Sequence, residues 1–340
     1  MKQPICIGIE STAHTFGVGI VRGKSILANA RDAYTTEQGG INPSDARAHH
    51  EAVKQTVLDK ALEQAGIRLQ DATLIAFSQG PGLPPCLVVG LEFARHLGRT
   101  LRLPVVGVNH CVAHLEIARL ATPAKDPVLL YASGANTQVI AYEGNTYRVF
   151  GETLDQGIGN FLDQFARHLG LGFPGGPKIE ALAAQGSTYI PLPYAVKGMD
   201  VSFSGMLTNL KQKSVRKDGQ GRYVNAKGDR YAVENLCYSL QETAFAMLIE
   251  VAERAMAHCR KKELALGGGV ACNSRLQAMA ASMCQERGAR YYCPERSLLV
   301  DNGAMIAWLG ILAKEHATTD YASLDILPRW RTDQVEVSWR

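Results

Sequence analysis

Residues 4–15 read PICIGIESTAHT, and residues 127–137 read PVLLYASGANT. Each opens on a proline, continues as a short apolar run suited to a buried strand, and breaks into a turn of small and hydroxylated residues. With Ser11 to Thr15 laid on Ser133 to Thr137, Ser, Ala and Thr fall at the same places. The downstream segments match as well. Strands are predicted at Phe16 to Val21 and from Ser25 to Ala28 around Arg22-Gly23-Lys24, and again at Gln138 to Tyr142 and Tyr147 to Phe150 around Glu143-Gly144-Asn145. Further on, Thr73 to Ser78 runs into Gln79-Gly80-Pro81-Gly82, and Leu264 to Leu266 runs into Gly267-Gly268-Gly269. Any α/β protein repeats such units, but a duplicated one predicts two lobes, here 1–126 and 127–340, facing each other with ligands at the strand-end turns. The fold class expected is α/β.

Helices are predicted at His49 to Ala65, stopped by Gly66, at Leu87 to Leu101, from His110 to Leu120, and at Val233 to Cys259 and Ser274 to Glu286. A last apolar helix, Gly303 to Lys314, is opened by Asp301, and it can pack back on the first lobe. The chain has 340 residues, 46% of them hydrophobic and 20% charged, enough for two cores of about 100–200 residues each and too ordinary in charge for disorder. A net charge of +4 does not indicate a polybasic protein, though it permits a local basic patch. The first dozen residues lack the pattern of a signal peptide, and no stretch approaches about 18 apolar residues. Eight cysteines, none spaced C-x-x-C, read as reduced and buried, as in a cytoplasm.

His110-Cys111-Val112-Ala113-His114 puts two imidazoles on one face of a helix, where they can share a divalent metal. Spacing alone leaves them equally readable as ordinary helix residues. A metalloprotease would carry Glu where Cys111 stands, and Glu116 lies outside that pattern. Asp301 suits a third ligand and suits an N-cap equally. Ser133 to Thr137 and Gly267 to Asn273 are candidate phosphate cradles, or simply tight turns; neither is a Walker A loop. Asp163 and Glu180, flanking Gly172 to Pro177, read as ribose contacts or as helix-start carboxylates. Lys211 to Arg230, KQKSVRKDGQGRYVNAKGDR, carries seven Lys or Arg against two Asp, either a phosphate-backbone patch or a basic surface loop.

Seven motifs in order, GIESTAHTF (8–16), NHxxxH (109–114), YxSGxNT (131–137), PGGPxIE (174–180), SFSG (202–205), GGVAxN (268–273) and DNGAMIA (301–307), resemble the universal tRNA threonylcarbamoyladenosine synthase family in its archaeal form, the catalytic subunit of the KEOPS complex. The resemblance implies a duplicated actin-like ATPase fold with a central nucleotide and metal cleft. It implies transfer of a threonylcarbamoyl group from threonylcarbamoyl-AMP to the adenosine next to the anticodon (position 37) of tRNAs reading codons that begin with A, with release of AMP. By the same resemblance, iron or zinc is held by His110, His114, Tyr131 and Asp301. The nucleotide, ATP or the adenylate, with or without magnesium, is held by Tyr131, Ala132, Ser133, Gly134, Ala135, Asp163, Gly176, Glu180 and Asn273. Glu10 and His14 are candidates for a catalytic role. The implied partners are tRNA, the KEOPS subunits including a small protein kinase, and an upstream synthase supplying the adenylate; no membrane is implied. Departures are Ala135 where Gly is usual, Cys272 where Ala is common, and a longer segment from Ser214 to Tyr231; the chain stops at Arg340 without a fused kinase. A metalloprotease, a non-catalytic ATP-binding scaffold and a small-molecule carbamoyltransferase are the competing readings.

Overall fold

A computed structural model describes residues 3–36 and 40–340; Met1 and Lys2, at the start of the expected first lobe, lie outside the described residues, as do 37–39. The first sheet contains β1 (Ile5–Glu10), β2 (Thr15–Arg22), β3 (Ser25–Ala33), β4 (Leu74–Gly80) and β5 (Val105–Asn109) in the order β3-β2-β1-β4-β5. β1, β2 and β3 pair antiparallel, while β4 and β5 add in parallel. Two helices connect them, α1 (Pro43–Ala65) and α2 (Pro84–Leu101), and α3 (His110–Ala121) leaves the last strand.

The second sheet repeats this plan. β6 (Val128–Ala132), β7 (Thr137–Glu143) and β8 (Thr146–Glu152) form the antiparallel half. After α4 (Ile158–His168) and α5 (Gly176–Ala183) come two short ribbons: β9 (Val196–Lys197) with β10 (Asp200–Val201), and, beyond α6 (Ser204–Lys213), β11 (Arg216–Lys217), β12 (Tyr223–Val224) and β13 (Arg230–Tyr231). The long α7 (Val233–His258) leads to β14 (Glu263–Gly267), α8 (Ser274–Glu286), β15 (Arg290–Tyr292), α9 (Arg296–Leu299) and α10 (Gly303–Leu312). The strand order β15-β14-β6-β7-β8 has the same hairpin and the same two parallel additions as the first sheet.

Three apolar clusters define five layers. α1 and α2 cover the outer face of the first sheet through Val57, Leu58, Val89 and Phe93. α4 to α8 cover the outer face of the second through Phe161, Phe165, Phe245 and Leu248. Between the sheets, α3 and α10 pack side by side, and their cluster reaches Leu129, Tyr131, Ile140 and Ala265 of the second sheet as well as Ala76 and Val106 of the first. Helix α3 buries nine of its first residues in a row, His110 to Ala118, because apolar surface meets it on both sides. α10 lies on β1, β2 and β4, and it can do so because Gly8, Gly19 and Gly303 bring backbone against backbone.

Several elements differ from the sequence expectation. α1 starts six residues earlier than predicted, where Asn42 accepts from Ser44 N and Pro43 takes the first helical position. Asp163, expected as a ribose contact or a helix-start carboxylate, sits in the middle of α4, which Gly157 caps, and so not at a helix start. The helix opened near Asp301 is capped by Asn302, whose side chain accepts from Met305 N while its Nδ2 donates to Val300 O and Leu298 O. Asp301 is therefore free of capping duty. Lys211 to Arg230 is not a loop but the end of α6 and most of a three-stranded ribbon. Among the described residues no helix is long and apolar enough to cross a membrane, and all eight cysteines are free.

Candidate metal and nucleotide site

Asn109 ends β5 and caps α3, accepting from the amides of Cys111 and Val112, so the helix begins at His110 with a fixed first turn. His110 and His114 then stack on one face, their ring centroids 4.8 Å apart. The Val300 to Asn302 turn delivers Asp301 from the far end of the chain. Its Oδ1 lies 3.4 Å from His110 Nε2 and 3.3 Å from His114 Nε2, and the ligand atoms of the three residues all fall within 4.8 Å of one another. Tyr131, the next-to-last residue of β6, sets its ring 4.9 Å from that of His114 and 6.3 Å from that of His110. The histidines and Tyr131 are buried.

Those separations bear on what the cluster holds. A charge-assisted N–H···O bond runs about 2.7–2.9 Å, and these are longer. An ion about 2.1 Å from each of its ligands in tetrahedral geometry separates ligand atoms by about 3.4 Å. Two imidazoles and a carboxylate are also the donor set that zinc and iron accept. The residues present fit a divalent transition metal.

Behind His110 stands a fixed carboxylate. Glu10 Oε2 accepts from His110 Nδ1 at 3.0 Å, and Glu10 Oε1 accepts from Thr12 N at 2.7 Å and Thr12 Oγ1 at 2.5 Å. Both Glu10 oxygens are thus engaged, and His110 Nε2 is left to face Asp301. Burial lowers the His110 pKa, but Glu10 and Asp301 outweigh it and hold the imidazole well above its ordinary range. At His114 burial prevails and the pKa is lowered. Burial likewise favours the protonated form of Asp301, yet the two imidazoles overcome it and hold the carboxyl well below its usual value. Burial raises the Tyr131 phenol, and it pushes the Cys111 thiol up to about 11. Glu116 faces away from the cluster. It accepts from the Tyr147 hydroxyl, from Arg119 at 2.7 Å and from Trp339 Nε1 at 3.0 Å, so it cannot serve as a protease base.

The glycine turns after β6 and β14 of the second sheet converge beside this cluster. At the Ser133 turn, Ser133 N and Oγ both donate to Asn136 O, and Asn136 Nδ2 reaches Cys111 Sγ on α3. α4 points its first amides at the same turn, Gly159 N to Ser133 O and Asn160 N to Gly134 O. A Cβ on Gly157 would stand 2.4 Å from Gly134 O, and one on Gly268, at φ +90°, 2.4 Å from Ala132 O. Only glycine permits these approaches. The amides of Gly134 and Ala135 are exposed and have no intramolecular acceptor among the described residues.

The other expected nucleotide contacts are committed to building the walls. Asp163 Oδ1 accepts from Gly175 N at 2.7 Å and anchors the loop that ends at Gly176. Glu180 Oε1 accepts from Ser274 N and Oγ at the start of α8, a dipole partner of that helix and not of its own. Asn273 caps α8 with its carbonyl oxygen and donates to Gln241 at 2.6 Å. His14 is not one of the grouped metal-cluster residues; its ring lies edge-on to Phe173 at 5.4 Å, and Phe173 N donates to Thr36 O. Sequence reasoning does not find Thr12, Asn302 or Gln241. Asn302 carries only the helix-start signal of an Asx residue, which Asp301 shares; Thr12 and Gln241 carry none.

Two sheets of one order, joined by a shared helical layer and carrying glycine turns at matched strand ends, define a duplicated actin-like ATPase fold. A solved structure of HypF from Thermococcus kodakarensis superposes with a TM-score of 0.62 at 13% identity, over 94% of this chain and 49% of that one. A second HypF structure, of a phosphate- and nucleotide-bound form, scores 0.62 at 10% identity over 92% of this chain and 47% of its own. The family profile described as tRNA N6-adenosine threonylcarbamoyltransferase matches residues 25–308. A protein of that name from T. kodakarensis is 54% identical over 336 residues, covering 98% of this chain and 99% of its own. A probable bifunctional tRNA threonylcarbamoyladenosine biosynthesis protein from Methanosarcina mazei is 50% identical over 343 residues, all of this chain but 60% of its own. The chain belongs to the tRNA N6-adenosine threonylcarbamoyltransferase family, and it is a transferase acting on tRNA.

Proposed function

We propose that the chain moves a threonylcarbamoyl group from threonylcarbamoyl-AMP to N6 of the adenosine beside the anticodon (position 37) of tRNAs reading codons that begin with A. It works as the catalytic subunit of a KEOPS-type complex that includes a small protein kinase, in the cytoplasm, and takes its donor from a separate adenylate synthase. ATP occupies the same pocket when the donor is absent, with or without magnesium. The observation that carries this reading is the cluster of buried His110 and His114 with partly buried Asp301 lying against the Ser133 turn, donor-side chemistry next to a phosphate cradle.

His110, His114 and Asp301, with Tyr131 beside them, would hold iron or zinc. When bound, such an ion supplies a Lewis acid for the carbamoyl carbonyl or the threonyl carboxylate. The chain's own residues do the rest. The free amides of Gly134 and Ala135 take the phosphate of the adenylate, which becomes the leaving group. Asp163 and Glu180 keep the surrounding loops in place. The adenine N6 amine forms the new C–N bond as the C–O bond to AMP breaks, the electron pair leaving with the phosphate, and the proton lost from N6 goes to that departing phosphate or to water. A paired, stacked adenine cannot present that amine, so the acceptor base must come from an exposed loop.

The test supplies purified chain and partner subunits with threonylcarbamoyl-AMP and a tRNA transcript, and reads nucleosides by mass spectrometry. Modified adenosine and equimolar AMP are expected, with no product from a transcript carrying guanosine at that position. Hydrolysis of the adenylate without any tRNA product would sink the reading.

Glu10 supports the ion through His110. Glu10→Gln should weaken zinc affinity about 10- to 100-fold while leaving the fold intact, as measured by competition with a chromophoric chelator. Unchanged affinity would exclude a role for Glu10 in orienting the ligand.

A further inference from the structure

The ribbon β11-β12-β13 has no counterpart among the described residues of the first lobe, and the transfer chemistry makes no use of it. It is built to be rigid. Arg216 pairs with Val224, Lys217 with Tyr223, and Tyr223 in turn with Tyr231. In its first turn Asp218 Oδ1 accepts from Gln220 N and Arg222 N, both at 2.9 Å; in its second Asn225 Oδ1 accepts from Lys227 N and Asp229 N, both at 2.9 Å. Tyr223 and Val224, its middle strand, are buried.

The cations on this ribbon are exposed and mostly uncompensated. Arg230 pairs with Asp218 at 3.4 Å. Among the described residues Arg216, Lys217, Arg222 and Lys227 make no ion pair; Lys217 lies 5.1 Å over the Tyr223 ring, a contact that positions a cation without neutralising it. Asp229 is held by Asn225 at 2.8 Å. Four like charges kept on a stiff two-turn scaffold cost self-repulsion, and a dense polyanion relieves it.

The ribbon is also tied to the cleft. Its root, Ser214, is buried and bonds His168 Nε2 through both O and Oγ at 3.0 Å. His168 is the last residue of α4, whose first amides bond the Ser133 turn. Eleven helical residues span about 16 Å at 1.5 Å per residue, so the ribbon stands roughly that far from the phosphate cradle. A loop base in the cleft leaves its flanking stem at that range.

We infer that residues 216–231 grip the phosphate backbone of the tRNA stem flanking the acceptor adenosine. The inference rests on the transferase reading, and it adds which surface holds the nucleic acid. Such contacts fix register and carry no sequence information.

The experiment uses the full chain with Arg216, Lys217, Arg222 and Lys227 all changed to Gln, positions exposed enough to leave the fold alone. Binding is titrated with salt against an intact tRNA transcript and against its isolated single-stranded loop. For intact tRNA the slope of log affinity on log salt should become shallower by about 3 to 4, roughly one unit for each phosphate no longer neutralised, with loop binding and ADP binding unchanged. An equal slope in wild type and variant overturns the inference, as does an equal loss for the isolated loop. If the wild-type chain shows no salt-dependent tRNA binding even with its partners, the transferase reading fails and takes this inference with it.

Discussion

His110→Ala and His114→Ala proteins will each bind zinc or iron more than about 100-fold more weakly than wild type and will lose transfer to tRNA by a similar factor. Loss of an orienting partner behind a ligand already costs about 10- to 100-fold in affinity or activity, and loss of the ligand itself costs more. Asp301→Asn should fall in the same class, because it removes the charge that both imidazoles face at 3.3–3.4 Å. The double variant His110→Ala/His114→Ala must remain folded for this to mean anything. It removes two buried rings from α3, so its circular dichroism and urea midpoint are read alongside. Metal content measured by atomic emission, together with product nucleoside, decides the matter. Full transfer activity in metal-free double variant would show that the cluster does not do the chemistry assigned to it.

The fold is legible in the sequence because its deciding signals are local. PICIGIESTAHT and PVLLYASGANT each place an apolar strand before a small-residue turn, and the sheets they enter have one order. The two imidazoles at i and i+4 are equally local. What brings Asp301 to them is not: it depends on α10 crossing the first sheet, which joins residues nearly 300 apart in the chain. Asp301 and Asn302 are adjacent Asx residues before one helix, and nothing in the sequence says which one caps it. Backbone geometry chooses Asn302, and Asp301 is freed by default. The ribbon after α6 reads as a loop for a different reason. Its strands are two residues long and its turns are rich in Gly, Asp and Asn, so neither period reaches the length at which alternation can be seen.

Gly303→Ala will be among the most destabilising single-methyl additions available in this chain, losing about 3 kcal/mol or more. A Cβ there would stand 2.1 Å from Gly19 N and 2.4 Å from Val18 C. Those are backbone atoms in the middle of a five-stranded sheet, and they cannot turn aside as a side chain could. Gly19 presents the reverse case, with its own Cβ 2.0 Å from Ala304 N. Relief therefore requires α10 to lift off β1 and β2. Gly219→Ala, where no atom lies within 4 Å and the ribbon turn is open, is the control and should stay within about 0.5 kcal/mol. Urea midpoints compare the two. The same displacement carries a functional consequence, since Asp301 precedes α10 by two residues and has its position set by the Asn302 cap. Zinc affinity in Gly303→Ala should fall even in the folded fraction, while in Gly219→Ala it should not move. A Gly303→Ala protein with wild-type midpoint and wild-type metal affinity would mean that α10 does not hold the carboxylate in place, and that the third ligand is fixed by the Val300 turn alone.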